Sequence, residues 1–477
     1  MIVVKHSHKD ILLRCAGLVL LVGVVSYAAV SATGVRVGDY PGGNPEPGGV
    51  PRHSKAVYIL PGICGSDLYA EDALSAAELL SRAPELAGYV DETYHTDKGE
   101  SLWIPQNIHP FSAMAMLACD EQGVPLMPTT TESDPTTYGP LGIYQYLVLR
   151  LEARLGDTYD VRFFPYDWRL SSRTNAEALQ ASIAQSGYES VSLVAHSMGG
   201  LVASSYLAMS PDNRELVDRA VFVAVPFLGT PKALYAAETG NFFNMQIMRG
   251  MELQELSLAA SHFRSVAELL PTREAFTYME SGYVEAGGQR LAGYEATMRQ
   301  LASLGDCAVD LSFRPDAEAF HQSLILADGT HAAASVDSVF LCGVGKELIQ
   351  TVSYDRHGAL EGASFGGSGD ATVPVWSASM GISATGSNEY GLDPTRVFYK
   401  NVSHFGFTLD ADTASFIVAF VRDGDMPADT TGFSLDAAQA TATEDASLAR
   451  LTDQVQNGMF ALYLRSFADR LAANIFR

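Results

Sequence analysis

Six short apolar runs punctuate the chain: Ala56 to Leu60, Val161 to Phe164, Val191 to Val194, Ala220 to Val225, Val339 to Cys342, and Arg396 to Lys400. Their lengths and their β-branched and aromatic content predict strands. Directly after the third run, Leu201, Val202, Tyr206 and Leu207 recur at helical spacing, which predicts a helix with one buried stripe. A longer apolar stretch, Cys15 to Val30, follows Lys5, Lys9 and Arg14 and ends in the small residues Val30-Ser31-Ala32. Its sixteen residues fall short of the roughly twenty that span a bilayer. It reads as a signal peptide removed after Ala32, which predicts secretion, with an uncleaved membrane anchor as the alternative. At the other end Leu451, Val455, Met459, Leu462, Phe467, Leu471 and Ile475 predict an amphipathic helix or two over 446–476. Asp453, Arg465, Asp469 and Arg470 give that segment no strong basic face, so docking on the domain is expected over membrane insertion.

The domain reading is then a signal peptide over 1–32, a Gly- and Pro-rich linker over 33–54, one catalytic domain over 55–425 and a helical extension over 426–477. With 477 residues, 47% of them hydrophobic and 18% charged, the chain has ample core and no signature of disorder. The net charge of −24 disfavours nucleic acid and polybasic attraction to anionic lipid. Contact with a membrane or lipid surface would therefore be peripheral and hydrophobic.

The third apolar run stops at a serine, in Leu193-Val194-Ala195-His196-Ser197-Met198-Gly199-Gly200. Small residues two positions to either side suit a sharp strand-to-helix turn that projects a hydroxyl, the nucleophile elbow of α/β hydrolases. Ala195 replaces the usual first glycine and adds only a methyl. A plain strand-to-turn junction is the bland alternative, and a second string weighs against it. The first strand runs into Pro61-Gly62-Ile63-Cys64-Gly65-Ser66, the expected oxyanion loop. The amide N–H groups of Ile63 and of Met198 are the expected donors to a developing oxyanion. An acid and then a base should follow in chain order. Asp370, in Gly369-Asp370-Ala371-Thr372, is the acid chosen, over Asp355 and Asp393. His404, after the last strand, is the base, which takes the Ser197 proton while Asp370 fixes its tautomer. His321, His331 and His357 precede Asp370 and break the order, and His196 should point away from the hydroxyl.

The strings LPGICGSDL (60–68), ESLWI (100–104), FPYDWRL (164–170), AHSMGG (195–200), FLGTP (227–231), LCGVG (341–345) and GDATVP (369–374) resemble the ordered landmarks of lecithin:cholesterol acyltransferases and lysosomal phospholipase A2. The resemblance spans about 55–425. It implies an α/β-hydrolase fold, a mostly parallel central sheet with helices on both faces. It also implies Ser197, Asp370 and His404 as the triad, Ile63 and Met198 as oxyanion donors, and a membrane-contact lid and a cap in the insertions at about 70–137 and 232–335. Leu102-Trp103-Ile104, Phe111, Met114, Met116 and Leu117 in the first insertion are a lipid-contacting surface or ordinary core. Phe242, Phe243, Met245, Ile247, Met248 and Met251 in the second are a cap or ordinary core. Asp167 and Arg169 should lie near the pocket at a strand's carboxyl end, with mutual pairing or helix capping expected of Asp167 and core packing of Trp168.

Of the cysteines beyond Cys15, Cys307 with Cys342 is the plausible bridge, worth about 4 kcal/mol by chain entropy, against free buried thiols for all of Cys64, Cys119, Cys307 and Cys342. The sequon Asn401-Val402-Ser403 abuts His404 and is treated as coincidence. No cofactor or metal is expected. The expected activity is a serine-dependent lipid acyl esterase or O-acyltransferase that uses a phospholipid. A triacylglycerol lipase or general carboxylesterase, and a non-catalytic lipid-binding protein of the same fold, are the alternatives.

Overall fold

All six predicted runs pair in one sheet. The structure is a computed structural model that describes residues 51–103, 105, 110–131, 138–242, 254–279, 281–304, 307–385 and 390–443. The expected signal peptide, most of the linker and the 446–476 helix lie outside the described residues, as do Ile104, Phe243, Met245, Ile247, Met248 and Met251. In chain order the main strands are β1 (Lys55–Leu60), β2 (Asp160–Phe163), β3 (Ser190–His196), β4 (Val217–Val223) and β5 (Ser338–Gly343), then a hairpin of β6 (Lys346–Tyr354) and β7 (Leu360–Gly369), and β8 (Val397–Lys400). The central sheet has the spatial order β8-β5-β4-β3-β1-β2, and every neighbouring pair is parallel.

A parallel sheet needs cover on both faces, and the side chains of β1 alternate between two cores. Ala56, Tyr58 and Leu60 pack into a cluster shared with α2 (Ser172–Ser186) and α3 (Gly199–Met209). Val57 and Ile59 face the opposite cluster, shared with α1 (Gln145–Leu155) and α4 (Ala411–Asp423). Ser171 caps α2 by accepting from the Thr174 N–H, and Asp410 caps α4 through Thr413. The α/β class expected from the sequence is the observed one.

The β6–β7 hairpin is an addition to that expectation. It joins Val284–Ala286 and Gln289–Arg290 in a second four-stranded sheet and delivers the chain to Asp370. Its buried positions Leu348, Ile349, Val352 and Tyr354 are interrupted by polar residues, so the period-2 signal is faint. Between β1 and α1, Leu68–Ala70, Ser101–Trp103 and Thr129–Thr130 form a small antiparallel sheet. Past residue 425 the chain docks on the sheet edge, where Tyr399 and Ser434 exchange backbone hydrogen bonds. Among the described residues no helix is long and apolar enough to cross a membrane.

Candidate active site

The loops after β1, β2, β3, β7 and β8 converge at the carboxyl edge of the sheet, where open α/β sheets bind ligands. Ser197 follows β3 with φ 55°, a left-handed backbone that a residue with a Cβ tolerates only when its surroundings hold it there. Its N–H is tied to the Val223 carbonyl at 2.8 Å. A Cβ on Gly199 would lie 2.5 Å from the Pro61 carbonyl oxygen, and one on Gly200 would lie 2.1 Å from Val225. Only glycine lets α3 leave the turn so close to β1 and the β4 loop.

The three side chains singled out in the sequence meet here. The Ser197 Oγ lies 2.9 Å from His404 Nε2, and His404 Nδ1 lies 2.7 Å from Asp370 Oδ2. The other carboxylate oxygen of Asp370 accepts from the N–H groups of Thr372 (2.9 Å) and Val373 (2.7 Å). Its backbone carbonyl accepts from the His404 N–H at 2.8 Å. Asp370 is therefore an acceptor on all sides, so the His404 proton sits on Nδ1 and leaves Nε2 free to accept. All three residues are buried.

Beside Ser197 the Pro61–Ser66 loop is clamped along its length. Tyr166 donates its hydroxyl to the Pro61 carbonyl at 2.6 Å, Trp103 its indole N–H to Cys64 at 2.9 Å, and Trp168 its indole N–H to Ser66 at 3.1 Å. The Gly62 N–H donates to the Tyr144 hydroxyl at 2.8 Å, which leaves the next amide, that of Ile63, without an acceptor among the described residues, as is that of Met198. Gly62 lies so close to Ser197 that a Cβ there would stand 2.8 Å from Ser197 Cβ.

Residues 143–287 match the family model described as lecithin:cholesterol acyltransferase. Ser197 lies within this segment; Asp370 and His404 lie beyond it. A stretch of 96 residues, 19% of this chain, is 34% identical to an uncharacterized protein of Saccharomyces cerevisiae and spans 14% of that protein's length. Among solved structures, the crystal structure of the Tle4-Tli4 complex is similar at a TM-score of 0.44 and 14% identity, covering 78% of this chain and 100% of that one.

Within the segment that matches the family model, the PYDWR string is a brace. Arg169 is fully buried and donates to both oxygens of Asp167, to the carbonyls of Leu117 and Met127, and to the Thr129 hydroxyl. Burial pushes the Asp167 carboxyl up, but the Arg169 charge and hydrogen bonds outweigh it and hold the group below the usual carboxylate range. The pair thus pins the first insertion to the β2 loop, while Tyr166 and Trp168 prop the Pro61–Ser66 loop. These props escaped sequence reasoning because each acts on a backbone atom about a hundred residues away.

The competing groups are otherwise occupied. His196 points beneath Ser197, toward Tyr144 and the backbone of His404. His321 donates from Nε2 to the Glu268 carbonyl, and burial pushes its imidazole down to about 4. His331 receives the Ala333 N–H and is pushed by burial to about 3. His357 sits on the exposed hairpin turn that Asp355 caps, and Asp393 caps a turn at Thr395. Asn401 gives its side-chain N–H groups to the carbonyls of Thr441 and Thr443.

One expectation is corrected, and one pair of alternatives is decided. Cys307 and Cys342 are not bridged, since all four described cysteines are free. Cys342 is buried in β5 beside Asp370, whereas Cys307 lies against Glu238 and Tyr354. Burial raises the Cys307 thiol to about 12. In the first insertion Leu102, Trp103, Met114, Met116 and Leu117 are all buried in the main core. These five are packing residues, which is the ordinary-core alternative of the sequence reading.

Proposed function

We propose that the protein is a serine-dependent lipid acyl esterase or O-acyltransferase acting on a phospholipid, with Ser197 as nucleophile, His404 as base, Asp370 as its orienting acid, and the Ile63 and Met198 amides as oxyanion donors. The observation that carries this reading is the buried hydrogen-bonded line from Ser197 Oγ through His404 to Asp370 at 2.9 and 2.7 Å. His404 Nε2 takes the hydroxyl proton as Oγ attacks the ester carbonyl. The tetrahedral oxygen accepts from the two amides, each of which is worth roughly a hundred- to a thousandfold in rate. Collapse breaks the bond to the alcohol, which leaves with the proton from His404, and Ser197 keeps the acyl group. A second hydroxyl, water or a lipid alcohol, loses its proton to Nε2 and takes the acyl group, which regenerates Ser197.

A fluorophosphonate probe tests the nucleophile: it should label the parent and fail to label Ser197→Ala. Labelling that survives the substitution refutes the assignment. Radiolabelled phospholipid offered with a sterol or long-chain alcohol separates the acceptors, since transfer yields a new lipid ester and hydrolysis yields only free fatty acid. Secretion is part of the proposal, supported by the basic and then apolar amino terminus. Secreted material that begins after residue 32 is the expected result.

A further inference from the structure

One line of buried hydrogen bonds has no part in the steps above, yet it joins both sides of the site. The Gly62 N–H donates to the Tyr144 hydroxyl oxygen at 2.8 Å, that hydroxyl lies 2.7 Å from His196 Nδ1, and His196 Nε2 lies 3.1 Å from the backbone carbonyl oxygen of His404. Donor counting leaves one arrangement. A carbonyl oxygen only accepts, so His196 carries its proton on Nε2, and its Nδ1 must then accept from the Tyr144 O–H. The phenolic oxygen is free to accept from Gly62. Every hydrogen therefore points the same way, from the oxyanion loop to the loop that carries the base.

The positions make the line consequential. Gly62 precedes the expected donor Ile63, His196 precedes the nucleophile, and the accepting carbonyl belongs to the base itself. The His196 ring packs 4.6 Å from the His404 ring. A charged His196 would oppose the imidazolium that forms on His404 during acyl transfer. Burial, and then the neighbouring His404, hold it well below its ordinary value and keep it neutral. Both Tyr144 and His196 are almost wholly buried, so water offers no substitute partners.

We propose that Tyr144 and His196 are positioning residues that tie the oxyanion loop and the His404 loop to a common frame beneath Ser197, so that the Ile63 N–H and His404 Nε2 keep their places about the reacting carbonyl. This rests on the reading of Ser197 and His404 as nucleophile and base. Catalytic geometry of this kind is steep in distance, and a shift of about 1 Å costs on the order of a hundredfold.

The test uses the whole protein with p-nitrophenyl butyrate as ester probe, and a fluorophosphonate to count active sites. Tyr144→Phe removes one hydroxyl with no change of shape, and His196→Phe removes both ring nitrogens. Each should lower kcat per titrated site by tens to about a hundredfold with KM within about threefold. The double variant should be no worse than the poorer single one, because both cut the same line. His196→Gln spans both contacts, with its NH2 toward His404 and its oxygen toward Tyr144, and should restore most of the rate. A purely structural role predicts fewer titratable sites, each of normal kcat, and that result overturns the proposal. Should the phenylalanine variants not fold, His196→Gln and His196→Asn read the same line. Gln keeps the rate and the shorter Asn loses it, and equal rates overturn the proposal. Failure of the underlying reading looks different: Ser197→Ala would then still be labelled.

Discussion

Replacing Gly62 by alanine adds a single methyl at the point where the Pro61–Ser66 loop, the proposed oxyanion loop, meets Ser197, the proposed nucleophile. The new Cβ would stand 2.8 Å from Ser197 Cβ, 3.1 Å from Ser197 Oγ and 3.6 Å from the Tyr144 hydroxyl. Comfortable contacts between such atoms lie at about 3.5–4.0 Å, so one partner must retreat by about 1 Å. Ser197 has little room to do so, because its φ of 55° is held by the Val223 carbonyl and by the close approach of Gly199 and Gly200 to their neighbours. The loop therefore yields and takes the Ile63 amide with it. Misplacement on this scale costs on the order of a hundredfold, and loss of an oxyanion donor costs about a hundred- to a thousandfold, so kcat should fall by at least about a hundredfold, or about 3 kcal/mol. The assay is steady-state hydrolysis of p-nitrophenyl butyrate, normalised to fluorophosphonate-titrated sites, with far-ultraviolet circular dichroism to check the fold. Gly187→Ala is the control, since Gly187 at φ 72° has no neighbour within 4 Å of an added Cβ. It should cost about 1–2 kcal/mol of stability through backbone strain and leave kcat unchanged. A folded Gly62→Ala variant with kcat within threefold of the parent would refute the reasoning.

Three further outcomes follow from the same contacts. Asp370→Asn keeps an oxygen for the Thr372 and Val373 amides but turns an NH2 toward His404 Nδ1, which moves the imidazole proton to Nε2; kcat should drop by about four orders of magnitude, and a drop of less than tenfold excludes this role for Asp370. Asp167→Ala strands the buried Arg169 guanidinium and should destabilise the fold by about 3–5 kcal/mol, read as a lowered urea midpoint, with an unchanged midpoint counting against the brace. Glu268 is almost fully buried, and burial raises its carboxyl from 4.5 to about 7 against the opposing Ser172 hydrogen bond. The unfolded chain releases this proton near pH 4.5 and the folded chain only near pH 7, so the stabilisation is complete below 4.5 and is lost as pH rises through 7. The loss amounts to about 3 kcal/mol. Glu268→Gln should therefore have a higher Tm than the parent at pH 8 and a shallower fall between pH 5 and 8, and parallel Tm curves for the two proteins contradict the assignment.

Much of the site was legible before any coordinates. Ser197 stood out because an elbow needs an apolar strand, a nucleophile and small flanking residues within a few positions, and all of these are local. His404 was reachable because a parallel sheet puts the ends of successive strands on one edge, and Asp370 because the acid precedes the base in chain order. The β6–β7 hairpin was harder to see, since its exposed face mixes glycine, serine and charge with the buried positions. The apolar clusters of the first insertion were ambiguous for a plainer reason: a run such as Leu102-Trp103 reads alike whether it is covered by protein or by lipid.

By itself the sequence determined the alternation of strand and helix, the parallel α/β class, and which serine, aspartate and histidine stand at strand ends, because periodicity and turn chemistry are properties of neighbouring residues. Tertiary structure alone decided what holds the site together. The hydroxyls of Tyr144 and Tyr166, the indoles of Trp103 and Trp168, and the ring of His196 all bind backbone atoms of distant segments. Backbone donors and acceptors are identical at every position of the chain, so no residue pattern marks the one a side chain will meet. The same holds for Cys307 and Cys342, whose free state depends on what each thiol packs against in the folded chain.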